Sequence, residues 1–311
     1  MYKKIVVIIV SFTIVLLAAC SNKGSEKESA DQLSVYTTVY PLQYFTERIG
    51  GNHVDVKSIY PTGVVEDTFD PSQKELMSLA NSDLFFYIGL GLEGFVENAE
   101  KTLENEHVKM VATSEAITEE MLGGEHLDEE HVHDDGNLDP HVWMSPILSD
   151  ALAFSIKEAL IELAPDKKDE FENNFENLRD DLLKLDREFI DMVSNTSKKR
   201  FFVSHATFGY IAETYGLEQV AIAGLNSQSK PSQKQLASFV EYAKAEDVKY
   251  IFFEPNVSSK LIEVLRKEIG AESLMLHNIR VLTDDDVKNK EDYFSLMNYN
   301  IRTLEKALSD E

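Results

Sequence analysis

The sequence predicts an α/β protein with two open-sheet lobes joined by one long helix and a ligand site in the cleft between the lobes. Two series of alternating strand-like and helix-like segments indicate the lobes. One helical stripe between the series indicates the joining helix, because its apolar residues are spaced alternately by four and three positions. These residues are Phe171, Phe175, Leu178, Leu182, Leu185, Phe189 and Met192. A coiled coil is the alternative, but only about three heptads are present and no second run partners them.

The first series covers residues 33–164, which we expect to form the N-terminal lobe. Runs rich in β-branched and aromatic residues predict strands over 33–40, 54–60, 84–88 and 108–111. Helical spacing predicts helices over 42–49, 72–80, 93–103 and 146–163. Pro41 and Pro61 end the first two strands, and Gly50 with Gly51 ends the first helix.

The second series covers residues 200–311, the expected C-terminal lobe, and residues 165–199 contain the joining helix. The predicted strands are 200–204, 220–223, 250–253 and 274–277. The predicted helices are 208–215, 231–245, 258–269 and 293–308. Gly216 and Gly270 end two of these helices, and Pro231 precedes another.

The N-terminus has the pattern of a lipoprotein signal. Lys3 and Lys4 precede an apolar run that ends in Leu17-Ala18-Ala19-Cys20. This pattern predicts a signal peptide over residues 1–19, with Cys20 as the lipidated first residue of the mature chain. Residues 20–32 are polar and predict a disordered tether. We therefore expect a protein anchored by lipid to the outer face of a bacterial cell membrane.

Composition excludes some classes of function. The formal net charge of -25 argues against nucleic acid as a partner, because its phosphates would repel the protein. Cys20 is the only cysteine, so the chain can form neither an intramolecular disulfide nor a thiolate metal cluster.

Four positions predict a site beyond the carboxyl ends of the strands, where sheets of this kind bind ligands. Residues 65–67 and His141 belong to the first series, whereas His205 and Arg280 belong to the second. Pro140 stiffens the backbone that presents His141, which suits a metal ligand. A histidine that only bonds its neighbours is the alternative for either imidazole.

Four segments carry a resemblance to a known family. They are Asp139-Pro140-His141-Val142-Trp143, the run Ser204-His205-Ala206-Thr207-Phe208-Gly209-Tyr210, Ile222-Ala223-Gly224-Leu225 and Tyr250-Ile251-Phe252-Phe253-Glu254. Together they resemble the metal-binding lipoproteins of bacterial ATP-binding-cassette importers, particularly the zinc-binding branch. The resemblance implies a rigid connecting helix and one divalent cation held between the lobes. It also implies delivery of that cation to a membrane permease, and we expect the protein to act as a monomer.

Two positions depart from the family pattern. Asp67 stands where the first histidine ligand is expected, and Arg280 stands where an acid is expected. In one interpretation Asp67, His141 and His205 bind zinc, or manganese as the alternative, with water, His277 or Glu66 as fourth ligand. In the other, Asp67 and Arg280 form a salt bridge that fills the site without metal, since arginine cannot ligate a cation.

Three classes of function compete. A metal-capturing transport protein is the leading one. An enzyme is not expected, because the chain lacks a helical His-Glu-x-x-His arrangement and a Gly-x-Ser-x-Gly turn. The third class is a metal-free derivative that acts in adhesion or partner binding, which the Asp67 and Arg280 departures favour. The acidic loop with His126, His131 and His133 either collects metal or is a solvated surface loop.

Overall fold

The computed structural model describes residues 32–62, 64, 69–122, 138–225, 232–255 and 260–309. The predicted signal peptide, Cys20, Asp67 and the three loop histidines lie outside the described residues. In the part of the chain that is described, no helix combines the length and apolar character needed to cross a bilayer.

The N-terminal lobe contains a parallel sheet of four strands in the order β2-β1-β3-β4. Its strands are β1 Leu33–Thr37, β2 Val54–Ser58, β3 Leu84–Tyr87 and β4 Lys109–Ala112. The helices of this half are α1 Tyr40–Gly50, α2 Gln73–Ala80, α3 Val96–Leu103 and α4 Pro146–Leu163. All four residues of β3 are buried, as expected for a central strand of a sheet that is covered on both faces.

The C-terminal lobe repeats this arrangement with the strand order β6-β5-β7-β8, again all parallel. Its strands are β5 Arg200–His205, β6 Glu218–Ala223, β7 Tyr250–Phe253 and β8 Glu272–Met275. Its helices are α6 Gly209–Thr214, α7 Gln233–Ala245, α8 Lys260–Ile269, α9 Asp284–Asn289 and α10 Tyr293–Leu308. In both sheets the first strand of the lobe lies between the second and the third. Because all strands are parallel, their carboxyl ends lie at the same edge of each sheet.

The joining helix is α5, Lys168–Ser194, and the expectation of a single long helix is confirmed. All seven residues of the predicted stripe are buried. This face packs against α1, α4 and α10, so one helix contacts elements from both ends of the chain. The solvated face is strongly charged, as expected for the outer side of an amphipathic helix.

The helix predicted to begin at residue 93 begins instead at Val96. Glu93 turns inward, and its carboxylate accepts hydrogen bonds from the backbone N–H groups of Ile88 and Gly89 and from the hydroxyl of Thr38. Burial raises the pKa of Glu93, although these three donors act in the opposite direction. Glu93 therefore stabilises the turn after β3 rather than the first turn of a helix.

The last strand was predicted two residues too late, over 274–277. It ends at Met275, because the N–H of His277 is donated to the side chain of Asn300 and not to a neighbouring strand. The short helix α9 was not predicted. Its start carries a capping box, in which Thr283 and Asp286 satisfy each other's backbone N–H groups.

Candidate metal site

His141 is held at the N-terminal side of α4 by a buried and tightly bonded segment. Its imidazole is fully buried, and the turn Val142–Met144 leads directly into the helix. The indole of Trp143 donates to the backbone carbonyl of Asn278 over 2.9 Å. The hydroxyl of Tyr293 donates to the carbonyl of Trp143, also over 2.9 Å. These bonds fix the position of His141 against the C-terminal lobe.

Asp139 determines the tautomer of His141. Its Oδ1 lies 2.6 Å from Nδ1 of His141 and accepts the backbone N–H of the same residue over 2.9 Å. Because a carboxylate can only accept here, Nδ1 carries the proton and Nε2 carries the lone pair. A carboxylate behind the imidazole of a metal-binding histidine is the usual arrangement in metalloproteins.

His205 has the same kind of support from a different element. It ends β5, and its Nδ1 lies 2.8 Å from Oε1 of Glu254, which follows β7. Oε2 of Glu254 accepts from the side-chain amide of Asn278 over 2.7 Å. Burial alone would raise the pKa of Glu254, but contact with His205 and the Asn278 bond outweigh it and hold that pKa below its usual value.

The two imidazoles lie together in the folded protein. Their ring centroids are 5.2 Å apart and the ring planes cross at 81°. Gly209 makes this approach possible, since a Cβ at that position would lie 2.8 Å from Oδ2 of Asp139. The hydroxyl of Tyr210 also donates to the backbone carbonyl of Asp139, over 2.8 Å. The two motifs that contain His141 and His205 are therefore in direct contact.

Arg280 belongs to the same site. Its Nη2 donates to Nε2 of His141 over 2.6 Å, and the side chain is only 2% exposed. Burial lowers the pKa of Arg280 to about 10, so the guanidinium is still protonated at neutral pH. The residue before it, Ile279, has a φ of +57°, a left-handed conformation that is rare for a β-branched side chain. The ring of His277 holds that conformation by accepting the N–H of Ile279 over 2.9 Å.

The outward nitrogen of His205 also has an internal partner. Its Nε2 lies 2.9 Å from the backbone carbonyl of Leu225, while Nδ1 faces Glu254. Binding of a cation at Nε2 requires separation of that nitrogen from the carbonyl of Leu225.

The structure thus brings together three of the four predicted positions: His141, His205 and Arg280. Asp67 cannot be placed, because it lies outside the described residues. Both ring nitrogens of His277, the alternative fourth ligand, also have internal partners, since Nδ1 accepts from Ile279 and Nε2 donates to Asp286 over 3.0 Å. Among the described residues, no group of three or more His, Cys, Asp or Glu side chains is arranged to hold a metal ion.

Sequence reasoning missed the two carboxylates that orient the imidazoles. Asp139 and Glu254 both lie inside the segments that carried the family resemblance, but neither was given a role. For Asp139 a signal existed, because a carboxylate two residues before a histidine can reach its ring locally. For Glu254 none existed, because its partner His205 is 49 residues away in the chain.

Comparison with known proteins decides the family. The model of the family described as "ZnuA: Zinc-uptake complex component A periplasmic" matches residues 35–307. The chain belongs to the ZnuA family. It is 34% identical to the high-affinity zinc uptake system protein ZnuA of Bacillus subtilis over 310 residues, which cover 96% of each chain.

A second relative is the zinc-binding lipoprotein AdcA of Streptococcus pneumoniae, which is 34% identical over 314 residues. That match covers 99% of this chain but only 62% of AdcA, so the chain spans less than two thirds of that relative's length. The Zn(II)-bound ZnuA-like domain of the same AdcA superposes with a TM-score of 0.75 at 33% identity, covering 90% of this chain and 100% of that domain. The predicted fold of two parallel-sheet lobes with a long helix is confirmed as that of the ZnuA family.

Proposed function

We propose that this protein is an extracytoplasmic binding protein that captures a divalent cation, zinc first, and delivers it to an ATP-binding-cassette permease. The observation that carries the proposal is the pair of buried imidazoles of His141 and His205, each backed by a carboxylate. Membership of a family described as a zinc-uptake component supports the same function. Manganese is the alternative cargo, because a site with nitrogen and oxygen ligands suits both metals.

The distance between the imidazoles is suitable for a shared cation. Zinc–nitrogen bonds of about 2.0–2.1 Å in tetrahedral geometry place the centroids of two ligating rings about 5 Å apart. The observed separation of the ring centroids, 5.2 Å, is close to this value. Asp139 and Glu254 would then fix the ring orientations and make the ligating nitrogens more basic.

We further propose that Asp67 supplies a third ligand, in place of the histidine that the family pattern has at this position. A carboxylate oxygen binds zinc at about the same distance as an imidazole nitrogen does. Cation binding would require Arg280 to leave Nε2 of His141, because one lone pair serves one partner. The departures at Asp67 and Arg280 therefore change the site without removing its two imidazole ligands.

The anchoring of the protein is part of the proposal. Cleavage after Ala19 would leave Cys20 as a lipidated first residue, with residues 20–32 as a tether to the outer face of the membrane. The lipid would then anchor a monomer with lobes over residues 33–164 and 200–311 and the joining helix within 165–199. A binding role without catalysis fits the family, whose members are solute-binding components of uptake systems.

Calorimetric titration tests this function. The mature chain, stripped of metal, is titrated with zinc and with manganese beside His141→Ala, Asp67→Ala and the control His107→Ala. His107 is an exposed histidine that pairs with Asp83 just before β4, at the amino end of the strand. Its removal should leave metal binding unchanged. One site per chain that is lost with His141 supports the proposal, and loss with Asp67 assigns the third ligand. No binding, or binding abolished only by removal of His126, His131 and His133, would contradict it.

A further inference from the structure

Asn278 bonds the supports of both imidazoles. It follows β8 and is 6% exposed. Its side-chain amide donates to Oε2 of Glu254 over 2.7 Å, and Glu254 in turn contacts His205. Its backbone carbonyl accepts from the indole of Trp143 over 2.9 Å, and Trp143 is two residues after His141. One residue of the C-terminal lobe is therefore bonded to the segments that hold both histidines.

The amide of Asn278 orients the carboxylate of Glu254. The last torsion of a glutamate side chain is soft, so the plane of the carboxylate depends on its hydrogen-bond partners. A donor held against Oε2 turns Oε1 toward Nδ1 of His205, where these two atoms are 2.8 Å apart. The hydroxyls of Thr207 and Ser204 also lie near this carboxylate, at the longer distances of 3.3 and 3.5 Å. The ring of His205 is therefore oriented by Glu254 and, through it, by Asn278.

The oxygen of the same amide supports the turn that carries Arg280. It accepts the backbone N–H of Arg280 over 3.3 Å, a local bond of the kind that asparagine forms in turns. Nη2 of Arg280 lies 2.6 Å from Nε2 of His141. A displacement of Asn278 would therefore change the surroundings of both rings at once, because Glu254 lies on one side and Arg280 on the other.

We propose that Asn278 is a positioning residue of the metal site, which aligns the imidazoles of His141 and His205 for one cation without contacting that cation itself. This inference rests on the proposed function and adds a residue on which the affinity for zinc depends. The outer hydrogen bonds of a ligating histidine determine its orientation and its basicity toward a metal. Because one residue supports both imidazoles, its replacement should weaken zinc binding although every ligand is kept.

The variant Asn278→Ser separates the two bonds of the amide. A serine hydroxyl can still accept the N–H of Arg280, since serine forms the same kind of turn, but serine has no amide to donate to Glu254. Asn300→Ser is the matched control. Asn300, on α10, bonds the backbone N–H and carbonyl of His277 over 2.7 and 2.8 Å, so it supports the same loop through the main chain.

Calorimetric titration of the metal-stripped chain with zinc measures the effect of each variant, alone and in a Glu254→Ala background. Where a variant is partly unfolded without metal, the zinc dependence of its free energy of unfolding gives the affinity instead. Comparison of the two backgrounds isolates the contact between Asn278 and Glu254, because a general loss of stability would lower the affinity equally in both.

We expect Asn278→Ser to weaken zinc binding by about tenfold or more, as loss of an outer partner of a ligating histidine does. In the Glu254→Ala background the same change should alter the affinity by no more than about twofold, the range for residues that act independently. Asn300→Ser should stay within about twofold in either background, even where it lowers the stability of the loop.

An Asn278→Ser variant that binds zinc as tightly as the wild type overturns the inference. Two other results also overturn it: a loss of affinity that is the same with and without Glu254, or an equal loss in Asn300→Ser. Failure of the proposed function would look different. If the wild-type chain binds zinc tightly and His141→Ala does not, the metal receptor stands and only the role of Asn278 is wrong. If the wild-type chain binds no zinc, both are wrong.

Discussion

Nη2 of Arg280 lies 2.6 Å from Nε2 of His141, so the nitrogen suited to bind a cation already accepts a hydrogen bond within the protein. Nε2 of His205 also has an internal partner, the carbonyl oxygen of Leu225 at 2.9 Å. Cation binding is therefore an exchange of partners and not the filling of an open site. The cost of breaking these internal bonds must lower the affinity for a bare cation below that of a site with open ligands.

Replacement of Arg280 by glutamate should tighten the binding of zinc alone by tenfold or more. The change removes the competing donor on His141 and adds an oxygen that zinc accepts as a ligand. Calorimetric titration of the metal-stripped protein measures the effect. Arg302→Glu makes the same change of charge at an exposed position and should have no effect. An unchanged or weaker zinc affinity in Arg280→Glu would show that Arg280 does not oppose the cation.

Glu254→Gln should weaken zinc binding by about 10- to 100-fold, the range found when a carboxylate behind a ligating histidine is removed. The amide keeps the size of the side chain but lacks the charge that supports the ring of His205 at 2.8 Å. The fluorescence of Trp143 is a convenient reporter, because this only tryptophan lies 5.4 Å from the ring of His141. The exposed Glu268→Gln on α8 is the control. Equal affinities in the two variants would remove Glu254 from the site.

Gly209→Ala should damage both the stability and the metal site. A methyl group 2.8 Å from Oδ2 of Asp139 must displace a carboxylate that already bonds the ring of His141. Overpacking of this kind costs about 1–3 kcal/mol, and the shift of Asp139 should also lower zinc affinity. Chemical denaturation and zinc titration measure the two effects. Gly94→Ala is the matched control, since a Cβ there meets nothing within 4 Å. If Gly209→Ala behaves like Gly94→Ala, the contact between the two motifs is not tight.

The strands and helices were predictable where glycine or proline marked their ends and one face was buried. The helix Pro146–Leu163 has the predicted bounds for this reason. Tyr293–Leu308 also has the predicted bounds, although it begins at the N-cap Asp292 and no glycine or proline marks its ends. Prediction was wrong where a side chain replaced a regular backbone bond, as Glu93 does after β3. The short helix Asp284–Asn289 was missed because six residues carry too little periodicity to detect.

The site was predictable as a set of positions but not as a set of bonds. Parallel strands bring their carboxyl ends to one edge of each sheet, and the expected cleft between the two lobes predicts that His141 meets His205 and Arg280 there. The sequence could not indicate that Arg280 bonds His141, because the two are 139 residues apart. The predicted salt bridge between Arg280 and Asp67 stays a prediction, since Asp67 is not among the described residues.

Asp286 supports the loop that carries Arg280, and its effect on stability should depend on pH. Its carboxylate accepts from Nε2 of His277 and from the backbone and hydroxyl of Thr283. Burial would raise the pKa of Asp286, but these hydrogen bonds outweigh it and lower that pKa from 3.8 to about 2. Because the pKa is lower in the folded protein, the stabilisation is complete above a pH of about 4 and is lost as the pH falls through about 2.

Denaturation of the wild-type chain and of Asp286→Asn at a series of pH values measures this dependence. At neutral pH the variant should have the lower free energy of unfolding. The neutral amide has one acceptor oxygen and no negative charge, so its hydrogen bonds from His277 and Thr283 are fewer and weaker. The difference between the two proteins should shrink as the pH falls from about 4 to about 2, where the wild-type carboxylate is protonated. Asp285→Asn, on the exposed face of the same helix, should differ little from the wild type throughout. A difference that stays constant across this range would show that the charge of Asp286 does not stabilise the loop.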